Sequence, residues 1–207
     1  MTKRTKTSKA WMHEHVTDPF VRAAKRAGYR SRAAYKLLEI DRRDGLFKPG
    51  MTVIDLGAAP GGWSQVARER LGKAGRVLAI DLLPMEPIAG VAFLQADFAS
   101  EEGLRGLLSL LGSAQADIVI SDMAPNISGI GISDQAKAIG LAELVLDFAV
   151  AHLKPGGALL VKVFQGEGFD SYVKALRSQF QRVAARKPEA SRDRSNEVYL
   201  LAKGLKS

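Results

Sequence analysis

Four aspartates and one lysine stand where they could do chemistry. Asp55, Asp81, Asp97 and Asp122 each end or closely follow a short apolar run, and Lys162 lies late in a fifth run, "GALLVKVFQGEGF". Helix capping explains any one such acid. Four acids after four apolar runs suit a ligand whose hydroxyls and amines must be held. After the first acid comes a glycine-rich stretch, "VIDLGAAPGGWSQ", Val53 to Gln65, that leads into an amphipathic segment.

Three ligands compete for such a loop: a nucleoside triphosphate, a dinucleotide and S-adenosylmethionine. A phosphate-binding P-loop needs G-x-x-x-x-G-K-[ST], but "GAAPGGWS" has Trp63 where a cation is wanted, and the next lysine is Lys73. A dinucleotide fingerprint needs G-x-G-x-x-G; Ala59 takes the second glycine position, and Pro60 stiffens the turn. Gly57, Gly61 and Gly62 allow close backbone approach, which suits an amino-acid tail with an amine and a carboxylate. Asp81 can accept hydrogen bonds from two ribose hydroxyls, and Asp97 with Phe98 can hold and stack an adenine. The spacing favours S-adenosylmethionine, while a nicotinamide-dependent oxidoreductase and a non-enzymatic domain stay open.

If a methyl group is transferred, the sequence restricts its acceptor. Carbon-5 methylation of pyrimidines needs a cysteine nucleophile, and the chain has no cysteine. Methylation of base amino groups usually shows an N/D-P-P-aromatic turn, where this chain has "SDMAPN" with Met123 and Ala124. A hydroxyl acceptor survives and needs a base. Lys162 is the candidate, because a charge in an apolar strand is costly unless it is paired or functional. The structural alternative is an ion pair with Asp122 on the adjacent strand.

These side chains need a frame to position them. Apolar runs predict strands near Thr52–Asp55, Arg76–Asp81, Val91–Ala96, Asp117–Ser121 and Ala158–Phe164. Helices are predicted near Gly62–Leu71, Glu101–Gly112, Asp134–Leu153 and Phe169–Gln179. A further helix runs from a Ser31 cap to about Arg43, burying Ala34, Leu37, Leu38 and Ile40. Gln181–Arg186 and Glu197–Ala202 read as an antiparallel hairpin at a sheet edge. The fold class is α/β: a Rossmann-like domain with a mostly parallel seven-stranded sheet and helices on both faces. Ligands in such a sheet bind beyond the carboxyl ends of the strands, where the aspartates and Lys162 lie.

The 207 residues are 46% hydrophobic and 25% charged, as expected of one globular domain. No apolar run approaches the roughly 20 residues that span a bilayer. "MTKRTKTSKAW" has no apolar stretch behind its charges, so it is no secretory signal. A cytoplasmic monomer needing no metal and no membrane is expected. Residues 1–43 hold 12 of the 30 Lys/Arg and 4 of the 22 Asp/Glu, so this segment carries the entire net charge of +8. Concentrated positive charge suggests a polyanion, RNA in preference to an acidic membrane. Arg22, Lys25, Arg26, Arg30, Arg32 and Arg194 are the candidate contacts, with Tyr29 and Tyr35 available for stacking. A second basic cluster comprises Arg182, Arg186, Lys187, Arg192 and Arg194. Residues 1–30 read as a basic, partly flexible arm and 31–207 as the catalytic domain.

Taken together, "YRSRAAYKLLEI", "DLGAAPGGWSQ", "DLLPM", "SDMAPN", "VKVFQGEGF" and "RKPEASRDRSNEVY" resemble the FtsJ/RrmJ (RlmE) family of ribose 2'-O-methyltransferases, in family order from about Trp11 nearly to the C-terminus. The resemblance implies a Lys-Asp-Lys-Glu catalytic set at Lys36, Asp122, Lys162 and Glu197, with Lys162 as proton acceptor. It implies cofactor contacts at Gly61, Trp63, Asp81, Asp97 and Asp122. It further implies a uridine acceptor in the A loop of 23S rRNA within the assembled large subunit, and a role in ribosome maturation. From the residues alone, Lys36 reads as an exposed helix lysine and Glu197 as an edge-strand acid paired with Arg194. The loop Asn126–Gln135 is more glycine-rich than the family pattern. A ribosome-assembly module with a vestigial site is the rival reading.

Overall fold

The computed structural model describes residues 18–125, 131–192 and 195–207. Two helices precede the sheet, α1 (Pro19–Ala27) and α2 (Ala33–Asp44). Helix α1 lies in the segment expected as a basic arm, where charge masked the start signal. Asp18 caps it, accepting from the Phe20 and Val21 amides, and Pro19 opens its first turn. Helix α2 begins one residue later than predicted, and Ser31 does not cap it. Its N-cap is Arg32, with no side-chain cap bond, while the Ser31 hydroxyl faces the glycine loop, 2.5 Å from where a Cβ on Gly62 would sit.

The strands are β1 (Thr52–Leu56), β2 (Arg76–Asp81), β3 (Val91–Gln95), β4 (Ala116–Ser121), β5 (Leu153–Phe164), β6 (Phe180–Arg186) and β7 (Glu197–Leu205). They form one seven-stranded sheet in the order β3-β2-β1-β4-β5-β7-β6. The first five are parallel neighbours, and β7 runs antiparallel to both β5 and β6. The predicted hairpin is present, but only β6 is an edge. Strand β7 is inserted between two partners, so Glu197 opens an interior strand.

Helices α3 (Gly62–Leu71), α4 (Glu101–Leu111), α5 (Gly131–His152) and α6 (Phe169–Gln179) complete the layers. Alternation along the strands splits the core into two faces. Leu159, Val161 and Val163 pack with Leu107, Phe148 and Tyr172 from the α4, α5 and α6 side. Leu160, Tyr199 and Leu201 pack with Leu37, Ile40, Trp63 and Val66 from α2 and α3. Helix α2 buries Ala34, Leu37 and Ile40, as its periodicity predicts. Strand β5 starts five residues earlier than predicted, because Leu153 pairs with Ala116 before the register shifts at Ile118. Among the described residues, no helix is long and apolar enough to cross a membrane. The strand order reverses between β1 and β4, which opens a crevice beyond their carboxyl ends.

Candidate active site

The crevice holds a cavity of about 460 Å³, lined in part by Gly57, Asp81, Asp97, Phe98, Asp122 and Met123. Asp81 ends β2 and accepts from the Ala59 amide at 2.8 Å and the Leu83 amide at 2.8 Å. It thereby ties the glycine loop to the turn after β2 and keeps lone pairs for a ligand. Asp97 accepts from the Ala99 amide and is exposed. Phe98 borders the cavity but is only 7% exposed, and its ring lies edge-to-face with that of Phe148 at 5.3 Å. Gly57 has φ 79, and a Cβ there would collide with Met123 Cγ. Only glycine fits at that point.

Four other loop positions lie outside the cavity lining: Pro60, Gly61, Gly62 and Trp63. At Gly61 and Gly62 the missing side chain leaves room for neighbouring segments, where added Cβ atoms would meet Met85, Ile88 and Arg30, or Ser31. The Trp63 side chain is 3% exposed, donates to the Ala33 carbonyl at 2.8 Å and packs on Tyr199 at 5.6 Å between centroids. Its ring belongs to the core, so Trp63 can meet a ligand only through its backbone. Asp55 lies beneath the loop and does not line the cavity. It is fully buried, takes a hydrogen bond from Ser64 at 2.6 Å and leaves Oδ1 without a partner. Burial, with the Asp122 and Asp81 charges adding to it against the Ser64 hydrogen bond, pushes its carboxyl up to about 7.

Beside this cavity, Lys36, Asp122, Lys162 and Glu197 come together although 161 residues separate the first from the last. Lys36 pairs with Glu197 and donates to the Tyr199 hydroxyl at 3.0 Å. That hydroxyl donates to Asp122 Oδ1 at 2.7 Å. Lys162 Nζ lies 3.1 Å from the same carboxylate oxygen and donates to the Asp122 carbonyl at 2.5 Å. Lys36 is thus no solvated helix lysine, and Glu197 has Lys36 as its partner. Arg194, the partner that the sequence suggests for Glu197, lies outside the described residues. Burial raises the Glu197 carboxyl, but the Lys36 charge and hydrogen bond outweigh it and leave the group below its ordinary value. Its contribution to stability is therefore present at neutral pH and is lost as pH falls through that lowered value.

Tyr199 is the member of this network that residue-by-residue reading misses. It sits opposite Lys162 in the β5–β7 register and two residues beyond Glu197, so all three project to the same face. The i, i+2 spacing of Glu197 and Tyr199 is the signal that the sequence offers. Burial and the Asp122 and Glu197 carboxylates raise the phenol well above its ordinary value, so it stays a neutral donor. Tyr199→Phe should keep the ring on Trp63 while removing the link between Lys36 and Asp122. We expect about a tenfold lower single-turnover rate with unchanged methyl-donor affinity, in line with the removal of one hydrogen bond. An unchanged rate would show that the hydroxyl is only structural.

A second cleft, of about 480 Å³, borders Lys36 and Glu197 and is also lined by Arg32, Arg192 and Ser195. The network therefore lies between two cavities. Of the candidate RNA contacts, Arg22, Lys25 and Arg26 lie on α1, with Lys25 and Arg26 exposed. Arg30 is engaged within the fold, donating to the Pro60, Glu86 and Pro87 carbonyls. Arg32 pairs with Asp18 and donates to the Ala190 carbonyl. Tyr29 and Tyr35 pack edge-on at 6.0 Å, and Phe20 lies 5.8 Å from Tyr35, so their rings join α1 to α2. In the second basic cluster Arg186 is bidentate to Asp44, and Lys187 donates to the Ser195 and Glu197 carbonyls.

A doubly wound sheet with a cavity at its reversal point, and acids at the ends of β1 and β2 and just after β3 and β4, defines a Rossmann-like methyltransferase. Within that class the chain belongs to the FtsJ-like methyltransferase family, whose model matches residues 29–205. It is 61% identical over 204 residues to the ribosomal RNA large subunit methyltransferase E of Azoarcus sp. (strain BH72), covering 99% of this chain and 100% of that one. The protein of the same name from Stenotrophomonas maltophilia (strain K279a) is 56% identical over 207 residues, covering 100% and 99%. A crystal structure of a putative ribosomal RNA methyltransferase from Plasmodium falciparum superposes with a TM-score of 0.77 at 31% identity, covering 86% of this chain and 98% of that one.

Proposed function

We propose that this chain transfers the methyl group of S-adenosylmethionine to the ribose 2'-hydroxyl of a uridine in large-subunit rRNA, in the A loop of the assembled subunit. The observation that carries this reading is the Lys36–Tyr199–Asp122–Lys162 chain of contacts between two cavities. The relatives' names supply the rRNA, and the absence of cysteine directs the transfer away from pyrimidine carbon-5.

The cavity at the switch point suits S-adenosylmethionine. Asp81 and Asp97 offer carboxylate oxygens to hydroxyls and an amine, and Gly57 leaves room that a side chain would fill. Among the described residues, no basic one lines this cavity to favour phosphate. When bound, this cofactor supplies an electrophilic methyl on a sulfonium. The chain's residues do the rest. Lys162, in its neutral form, takes the proton from the 2'-hydroxyl, and Asp122 holds the Lys162 nitrogen in place. Glu197 fixes Lys36, which steers the acceptor. Alignment of two bound reactants contributes up to roughly 7–11 kcal/mol in favourable systems. The basic face of α1 belongs to the RNA surface, ahead of a catalytic domain from about residue 31, and the enzyme works in the cytoplasm.

The decisive experiment incubates the protein with under-methylated large subunits and labelled S-adenosylmethionine, then maps the product. A methylated ribose at one A-loop uridine is expected. Methyl on a base, or label only on other RNA, would overturn the reading. For the RNA surface, replacing Arg22, Lys25 and Arg26 by alanine should weaken subunit binding and flatten its salt dependence. The slope should fall by about 0.7–0.9 for each phosphate that is no longer neutralised. An unchanged slope would place the RNA elsewhere.

A further inference from the structure

The geometry points to a hollow beside the Lys162 network as the seat of the acceptor's nucleobase, with the acceptor's phosphate in the Arg32–Arg192 cleft. This rests on the proposed ribose methylation and adds the orientation of the nucleotide. The hollow, of about 140 Å³, is lined in part by Pro125, Asp134, Gln135, Phe164, Gln165 and Asn196. Pro125 also borders the cofactor-side cavity, so the two are neighbours. Phe164 lies two residues beyond Lys162 on β5 and pairs in register with Glu197. Asn196 precedes Glu197, which borders the basic cleft. A ribose held at Lys162 therefore has the hollow to one side and the cleft to the other.

Charge decides which part of the nucleotide goes where. Among the described residues, the basic Arg32, Lys36 and Arg192 line the cleft with one acid, Glu197, and Asp18 pairs with Arg32, so the balance stays positive. Among the same residues no basic one lines the hollow, so nothing there favours a phosphate. What the hollow offers is a ring, a proline and carboxamides, the means by which proteins stack and read a splayed-out base. The frame is held firmly. Gln135 Nε2 donates to the Phe164 and Glu167 carbonyls at 3.1 and 3.0 Å, and the Gln165 amide donates to the Asn196 carbonyl at 2.9 Å. Gln165 and Asn196 are exposed, leaving their side chains at the surface where a base edge would arrive.

The test measures kcat/KM on large subunits from cells lacking the enzyme, carrying either the native uridine or a cytidine at the acceptor position. Wild type should prefer uridine. Asn196→Ala and Gln165→Ala should each lower the value on uridine about five- to tenfold, one hydrogen bond's worth, with a smaller effect on cytidine and unchanged affinity for S-adenosylmethionine. Arg192→Ala should instead lower both substrates alike. No uridine preference in wild type, or a preference that both carboxamide variants keep in full, would overturn the assignment. The product of the wild-type reaction is mapped in the same experiment. Methyl found off the ribose would refute the proposed function itself, which separates that failure from this one.

Discussion

Lys162→Arg should give a folded protein that binds S-adenosylmethionine and is nearly inert, with a single-turnover rate lower by about 10²–10⁴-fold. Arginine keeps the positive charge beside Asp122 but does not release its proton in a protein. The substitution therefore spares the ion pair and removes the base. Geometry makes this test sharp, because the Lys162 side chain is 9% exposed and that of Asp122 only 20%, so water is a poor substitute for either group. Lys162→Ala extends the test. If the pair were only structural, removing the lysine would strand a buried carboxylate and cost about 3–5 kcal/mol of stability in a fully buried site. Here Tyr199 still donates to the carboxylate at 2.7 Å, so the stability cost should be smaller and the rate effect should dominate. Near-normal turnover by the arginine variant would refute the base assignment and turn attention to Asp122.

Asp55→Asn should change how stability depends on pH. In the folded protein the Asp55 carboxyl titrates at about 7, against an ordinary value of 3.8, chiefly because it is buried. The raised value means that the folded state holds the proton more tightly than the unfolded chain. Stability conferred at low pH is therefore lost as pH rises from about 4 to 7, amounting to about 4 kcal/mol in total. Asparagine does not titrate, and Ser64 can still hydrogen-bond it. Between pH 5 and pH 8 the variant should gain about 2–3 kcal/mol relative to wild type in denaturant unfolding. If the two stabilities stay parallel across that range, Asp55 carries no extra proton in the fold.

Local pattern made most of the frame legible. Helix α3 and strand β2 begin and end where glycines and apolar runs place them, and the α2 face that periodicity buries is the one that packs. Short-range physics governs these features: glycines and prolines limit elements, and side-chain alternation decides which face is covered. Helix α1 escaped because its basic residues resemble an arm, although Asp18-Pro19 is a regular start. The four acids were also placed by their strands, and the sequence reading names three of them, Asp81, Asp97 and Asp122, as cofactor contacts. Asp81, Asp97 and Asp122 line the cavity, while Asp55 is sealed below the loop. Burial depth depends on what packs above a residue, and that is decided by segments far from it in the chain.

The sequence by itself determined the class of fold, the absence of a cysteine nucleophile and the placement of the acids and Lys162 at strand ends. Tertiary structure alone decided how the candidate active residues meet. Lys36 and Glu197 look ordinary in their own segments because the ion pair that joins them closes across most of the chain. Tyr199 became a link between Lys36 and Asp122 only when β7 was inserted beside β5, antiparallel and in a register that sets it against Lys162. The same packing gave the Trp63 indole to the core and the Arg30 guanidinium to three backbone carbonyls, contacts that no local pattern announces. Neighbours in space are chosen by sheet order and layer packing. No local propensity encodes those, so a side chain's chemistry is readable from sequence, while its partner is readable only where strand order already sets the two side by side, as for Lys162 and Asp122.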